Sequence, residues 1–199
     1  MSWVKSGSLF KSISIESFGI ADKFIRRLAV VTLDGDPDQF YYFAYGSCMC
    51  PVDLKRSLQE KTHTYVVGPA QLKGYRLGFF RYSRRRQCGV LDIVPSPDHS
   101  GDSATVHGVL YSLPWRLSPL LDRREEGYVH HQVSIQCQGQ SYPNTRTYTV
   151  VDKLGHEHAP SDWYFDVVMR GALTCGLPES YCWQLFNHMH ELQRQELAA

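Results

Sequence analysis

Two stretches of the chain have the residue types for chemistry on a small polar substrate: "FAYGSCMC", residues 43–50, and "LLDRREEGYVHH", residues 120–131. In the first, an aromatic run stops at Tyr45, Gly46, Ser47 and Cys48 and gives way to Pro51, a residue suited to the first position of a helix. A strand that meets a helix across so short a linker must turn sharply, and Gly46 is expected to supply a positive φ there. Successive backbone N–H groups of such a turn, with the unpaired donors of the following helix, can form a concavity for an anion or a carbonyl oxygen. The same spacing also suits an ordinary strand-to-helix turn.

The second stretch offers carboxylates. Adjacent side chains at a helix end point in different directions, so Glu125 and Glu126 should occupy different environments, one inward and one solvated. If Leu120 and Leu121 mark the buried side, the position four after Leu121 returns to it, which selects Glu125. An inward carboxylate without a close cation would have a raised pKa and could move a proton. Two surface glutamates beside a turn would give the same letters.

The elements that must position these stretches can be read from Gly, Pro and hydrophobic punctuation. From Gln39 onward there are short strand-like runs: "FYYFAY", "TYVVGPAQL", "GYRLGFFRY", "GVLDIV", "TVHGVLYSL", "VSIQC" and "RTYTVV". Helices are expected at "PVDLKRSLQE" and "SPLLDRREE", and as a C-terminal pair parted at "CGLP", where Gly176 can end one and Pro178 begin the next. In the last helix Tyr181, Leu185, His188 or Met189, and Leu192 share one face. The pattern predicts an α+β fold, a curved and mostly antiparallel sheet or small barrel with flanking helices. Residues 1–36, with a short helix expected around "IADKFIRRL", read as an N-terminal extension, and residues 37–199 as the main domain.

Three motifs in order resemble the γ-glutamylcyclotransferase superfamily: "YFAYGS", "LDRREEG" and "PSDWYFDVVMRGALTCGLPESYCWQL". The resemblance runs from about Gln39 to Gln193, and the long C-terminal pattern is its most specific part. It implies the cyclotransferase fold and conversion of a γ-glutamyl amide or peptide, glutathione among the candidates, into 5-oxoproline and a free amine or amino acid. It also implies a substrate-binding loop at Tyr45, Gly46, Ser47 and Cys48 and a catalytic carboxylate at Glu125. Many family members carry Asn, and some Leu, where this chain has Cys48. Glu126 stands where one form of the motif has its glycine, which leaves a shift by one residue open.

The chemistry is consistent with these parts. Ring closure uses the substrate's own α-amine, which near neutrality is largely ammonium, so a base is required. Glu125 could take that proton and return it to the departing amine. The nucleophile is tethered to the carbonyl it attacks, and no covalent enzyme intermediate is needed. Backbone donors around Tyr45 to Cys48 suit the oxyanion or the α-carboxylate. Tyr128 is expected to add a hydroxyl to the site, whereas Tyr164 reads as a packing residue.

Composition narrows the classes. With 199 residues, 43% of them hydrophobic, and a net charge of +1, the chain suits one domain without a general pull toward nucleic acid or anionic lipid. A small γ-glutamyl substrate is the expected partner, with no nucleic acid and no membrane, and a homodimer stands open beside a monomer. The N-terminal stretch lacks an apolar signal core, no run approaches a membrane span, and the six cysteines follow no CxxC spacing, so a reduced, cytoplasmic protein is expected. No cofactor and no metal are expected, because the histidine pairs 130/131, 156/158 and 188/190 lack a third convergent ligand in sequence. Cys48 and Cys50 read as small loop residues, with Cys50 a candidate N-cap. The basic run "RYSRRRQ", residues 81–87, reads as a solvated hairpin tip, with recognition of an anionic substrate tail as the alternative. Two other functions fit the same residues: a non-catalytic binding module, and removal of a γ-glutamyl cap from a specialised metabolite.

Overall fold

The computed structural model describes residues 38–97 and 104–198. The segment 1–36 and the helix expected around "IADKFIRRL" therefore lie outside the described residues. Among the described residues seven strands are formed: β1 (Gln39–Ala44), β2 (Val66–Lys73), β3 (Tyr75–Ser83), β4 (Cys88–Pro95), β5 (Thr105–Pro114), β6 (Val129–Cys137) and β7 (Gln140–Thr149). Four α-helices accompany them: α1 (Pro51–Leu58), α2 (Ser118–Arg124), α3 (Asp162–Thr174) and α4 (Glu179–Ala198). The sheet closes into a five-stranded barrel in the order β1-β5-β2-β6-β7, and β3 pairs with β4 in a separate ribbon. This is the α+β small barrel with flanking helices that the strand and helix signals predict.

Period-two burial explains how the barrel walls form. In β2, Gly68, Ala70 and Leu72 face inward while Pro69, Gln71 and Lys73 face solvent, and β6 buries Val133, Ile135 and Cys137 in the same way. Closure depends on β1, which pairs antiparallel with β5 and meets β7 in parallel at Tyr42 and Arg146. The last two strands are longer than the sequence suggests. The segment "SYPN", outside the runs "VSIQC" and "RTYTVV", lies within β7, where the register shifts and Asn144 takes φ +56°. A bulge accommodates the proline because the unpaired backbone there has no ladder bond to lose.

The C-terminal helices follow their sequence signals. Ser161 caps α3 by accepting a hydrogen bond from the Tyr164 N–H at 3.3 Å, and Gly176, at φ +74°, turns the chain before α4. On α4 the buried face is Tyr181, Cys182, Leu185 and Met189, while His188 is half-buried and pairs with Glu157. Gly171 of α3 lets that helix lie directly on the loop after β1. A Cβ there would stand 2.6 Å from the Cys50 backbone nitrogen.

Candidate active site

The chain leaves β1 through Tyr45 and Gly46, forms a 3₁₀ turn over Ser47–Met49, and enters α1 at Pro51. Met49 N–H is the first donor of the turn, to the Gly46 carbonyl at 2.9 Å, so the N–H groups of Ser47 and Cys48 precede its hydrogen-bonded N–H groups. Gly46 does not take the positive φ expected of it; its φ is −120° and its ψ −142°. The 3₁₀ turn supplies the change of direction. Space is what favours glycine, since a Cβ would lie 3.2 Å from the Tyr164 hydroxyl. Tyr111 holds the outer side of the turn, donating to the Cys48 and Met49 carbonyls at 3.2 and 3.0 Å.

Glu125 is the C-cap of α2, and its N–H donates to the Leu121 carbonyl at 3.0 Å. Leu121 is fully buried, so the four-residue step carries Glu125 inward, while Glu126 is exposed. Oε1 of Glu125 accepts from the Cys48 thiol at 2.9 Å and from the Tyr42 hydroxyl at 3.3 Å. Cys48, at the position where the resemblance implies Asn or Leu, is thus a direct partner of the carboxylate. Burial, and next the Glu125 charge, push the Cys48 thiol up to about 12, with Arg124 opposing, so it remains a donor at neutral pH. Burial also holds the hydroxyls of Tyr42, Tyr45 and Tyr128 well above the usual phenol range.

The sequence expectation of a carboxylate apart from any cation is not met. Arg124 acts electrostatically on Glu125 from the preceding position. Its guanidinium is buried in an ion pair with Asp53 and donates to Ser57 Oγ at 2.8 Å, Ser47 Oγ at 3.2 Å and Cys48 Sγ at 3.4 Å. It thereby ties α1, the turn and α2 together. Gly127 follows at φ +84° and leaves room for Arg81, which donates to the Glu126 and Gly127 carbonyls and lies 4.7 Å over the Tyr128 ring. Tyr128 OH donates to the Leu91 carbonyl at 3.0 Å.

These groups surround one cavity of about 480 Å³. Tyr45, Gly46, Ser47, Cys48, Glu125 and Tyr128 all line it. Tyr45 does so with its hydroxyl turned away, donating to the Tyr148 carbonyl at 2.5 Å. Tyr164, expected only to pack, also reaches the cavity and accepts from the Leu91 N–H at 3.0 Å. Tyr42 and Arg124 were not anticipated, and Arg86 lies in the basic run for which contact with a substrate tail was the alternative reading. Strand alternation does place Tyr42 on a face with Phe40 and Ala44, but it cannot say what that face meets. The hairpin tip is shorter than the run 81–87, because Arg81–Ser83 belong to β3 and residues 84–87 make the turn, and Arg84, Arg85 and Arg86 are also cavity wall.

The histidines are engaged elsewhere: His130 with Asp122, His131 with Tyr75, and His188 with Glu157. Among the described residues no group of three or more His, Cys, Asp or Glu converges as a metal site. Cys50 occupies the N-cap of α1 without a side-chain capping bond. All six cysteines are free thiols. No helix of the described residues is long and apolar enough to cross a membrane.

The five-stranded barrel with a carboxylate facing a strand-to-helix turn is similar to γ-glutamylcyclotransferase-like proteins in three comparisons. The AIG2-like family model matches residues 105–185, which include Glu125 but not the Tyr45–Cys48 turn. Over 158 residues the chain is 32% identical to a Bacillus subtilis protein named "Putative gamma-glutamylcyclotransferase YkqA", covering 77% of this chain and 53% of that protein. The chain thus spans about half the length of this curated relative. The crystal structure of YkqA superimposes with a TM-score of 0.69 at 28% identity, over 86% of this chain and 59% of the other. A structure named "Gamma-glutamyl cyclotransferase" gives 0.63 at 25% identity, over 74% and 86% of the two chains. The human protein loc79017 gives 0.64 at 25%, with the same coverage. The superfamily resemblance read from the sequence is borne out, and the fold is the one these proteins share.

Proposed function

We propose that the protein is a γ-glutamylcyclotransferase, releasing 5-oxoproline and a free amine from a small γ-glutamyl compound. The observation that carries this reading is the Glu125 carboxylate, held by Tyr42 and Cys48 in the cavity bounded by the Tyr45–Cys48 turn. The α-ammonium of the substrate binds beside Glu125 and loses a proton to it. The freed amine attacks the γ-carbonyl carbon, a C–N bond closes the five-membered ring, and the developing oxyanion is met by the N–H groups of Ser47 and Cys48. The bond to the departing nitrogen then breaks as Glu125 returns the proton to it, and the second proton of the ring nitrogen passes to the departing amine, which leaves as ammonium. Tyr42 and Cys48 both donate to Oε1, leaving Oε2 as the oxygen for proton transfer.

The presence of a base distinguishes this reading from a simple binding module, because a pocket for acidic ligands gains nothing from a glutamate at its centre. Release of 5-oxoproline from glutathione, γ-glutamyl dipeptides and γ-glutamyl amines, followed by chromatography, is the test. Glu125→Gln is expected to lower kcat by about 10²–10⁴-fold, and Glu126→Gln to leave it near the wild-type value. Failure of every substrate would sink the reaction. A silent Glu125→Gln with an inactive Glu126→Gln would move the base by one residue.

A further inference from the structure

The cavity wall is far more basic than the chain. Lys and Arg number 21 against 20 Asp and Glu overall, yet six arginines and only two glutamates line this one cavity. Arg124 is committed to Asp53, and Arg81 spans two backbone carbonyls. Arg86 reaches Ser47 Oγ at 3.4 Å and lies over the rings of Trp163 and Tyr164. The guanidiniums of Arg84, Arg85 and Arg123 make no hydrogen bond or ion pair among the described residues, and all three residues are exposed. Six like charges, against Glu125 and Glu126 in the same wall and with Asp53 paired to Arg124 alone, leave a net positive potential over the cavity mouth.

The glutamyl half of a substrate accounts for little of this charge. It brings one α-carboxylate, and that group must sit within reach of the Glu125 end if its own α-amine is to be deprotonated there. The guanidiniums of Arg84 and Arg85 belong instead to the outer wall, where the departing amine would lie. There the cavity adjoins a second hollow of about 550 Å³ that shares Arg81, Tyr82 and Arg84 and continues past Val151 to Leu154. Its carboxylate, Asp152, is exposed, so the hollow gives length to the leaving group but no cationic alternative to the arginines.

Given the cyclotransferase reading, on which this rests, we infer that the preferred leaving group is an acidic amine: an amino acid or short peptide with at least two carboxylates next to the scissile amide. Arg84 and Arg85 are its specificity residues. Each guanidinium presents two parallel N–H donors to one carboxylate.

The experiment compares γ-glutamyl-glutamate with γ-glutamyl-glutamine, nearly identical in shape but one charge apart, and uses γ-glutamyl-alanine as reference. With the full chain at low ionic strength, kcat/KM for the diacid should exceed that of the amide by about tenfold or more, and the ratio should fall with added salt. The Arg84→Gln/Arg85→Gln variant should bring the ratio to within about twofold of unity, and a ratio that stays at the wild-type value in this variant would overturn the assignment of these two arginines. Equal kcat/KM for the two dipeptides in the wild type would overturn the inference and leave the cyclotransferase reading standing. If neither releases 5-oxoproline, calorimetry with the same pair decides: tighter, salt-sensitive binding of the diacid upholds an acidic ligand and removes the reaction, and equal or absent binding removes both.

Discussion

Replacing Gly171 by alanine should act on the site from the far side of the loop. The added Cβ would stand 2.6 Å from the Cys50 nitrogen and 2.8 Å from the Met49 carbonyl carbon, both backbone atoms. Ordinary contact begins near 3.4 Å, so helix α3 and the turn must separate by about 0.8 Å. Backbone cannot swing aside as a flexible side chain would, which puts the cost at the upper end of overpacking, about 3 kcal/mol. Alanine within a helix returns about 1 kcal/mol, leaving a net loss of about 2 kcal/mol and a Tm lower by about 4–8 °C. The displaced turn carries Cys48, whose thiol lies 2.9 Å from Glu125. A shift of that size should reduce turnover by about tenfold or more. Gly155→Ala is the control: a Cβ there has no heavy atom within 4 Å, so stability and turnover should stay close to wild type. Urea unfolding and 5-oxoproline release on both variants are the measurements. Wild-type stability with wild-type turnover in Gly171→Ala would refute the claim that this glycine sets how the helix backs the loop.

Two further outcomes follow from the same geometry. Because the Cys48 pKa rises from 9.0 to about 12, its thiolate fraction at pH 8 should be about 10⁻⁴ rather than about 10⁻¹, so iodoacetamide should label the half-buried Cys175 first while sparing Cys48. The sign for stability runs the same way: the raised value favours the folded state below pH 9 and that contribution is lost as pH climbs toward 12; rapid Cys48 labelling at pH 8, read by peptide mass, would contradict this. Asp53→Ala should cost about 3–5 kcal/mol because it leaves the buried Arg124 guanidinium without its carboxylate. A denaturant midpoint unchanged from wild type would show that Ser57 and Ser47 suffice to hold Arg124.

Much of the fold is local information. Strand runs, the proline start of α1, the Ser161 cap and the Gly176 stop each depend on a few neighbouring residues, and each is formed. The inward choice of Glu125 over Glu126 was legible for the same reason, since one helical turn fixes its direction from Leu121. The conformation of Gly46 was not, because φ there follows from the 3₁₀ turn and from Tyr164, whose ring comes from α3.

The sequence by itself determined the order of the elements, the small-residue turn after β1 and the helix end that bears the carboxylate, all within reach of backbone sterics and side-chain periodicity. Only the tertiary structure decided that β1 closes the barrel against β7, and that Cys48 meets Glu125 across 77 positions of chain. It also decided that a hairpin tip full of arginines becomes the wall of the cavity. Such partners are chosen by the packing of the whole domain, where the gain from burying many surfaces together selects one long-range arrangement that no local pattern encodes.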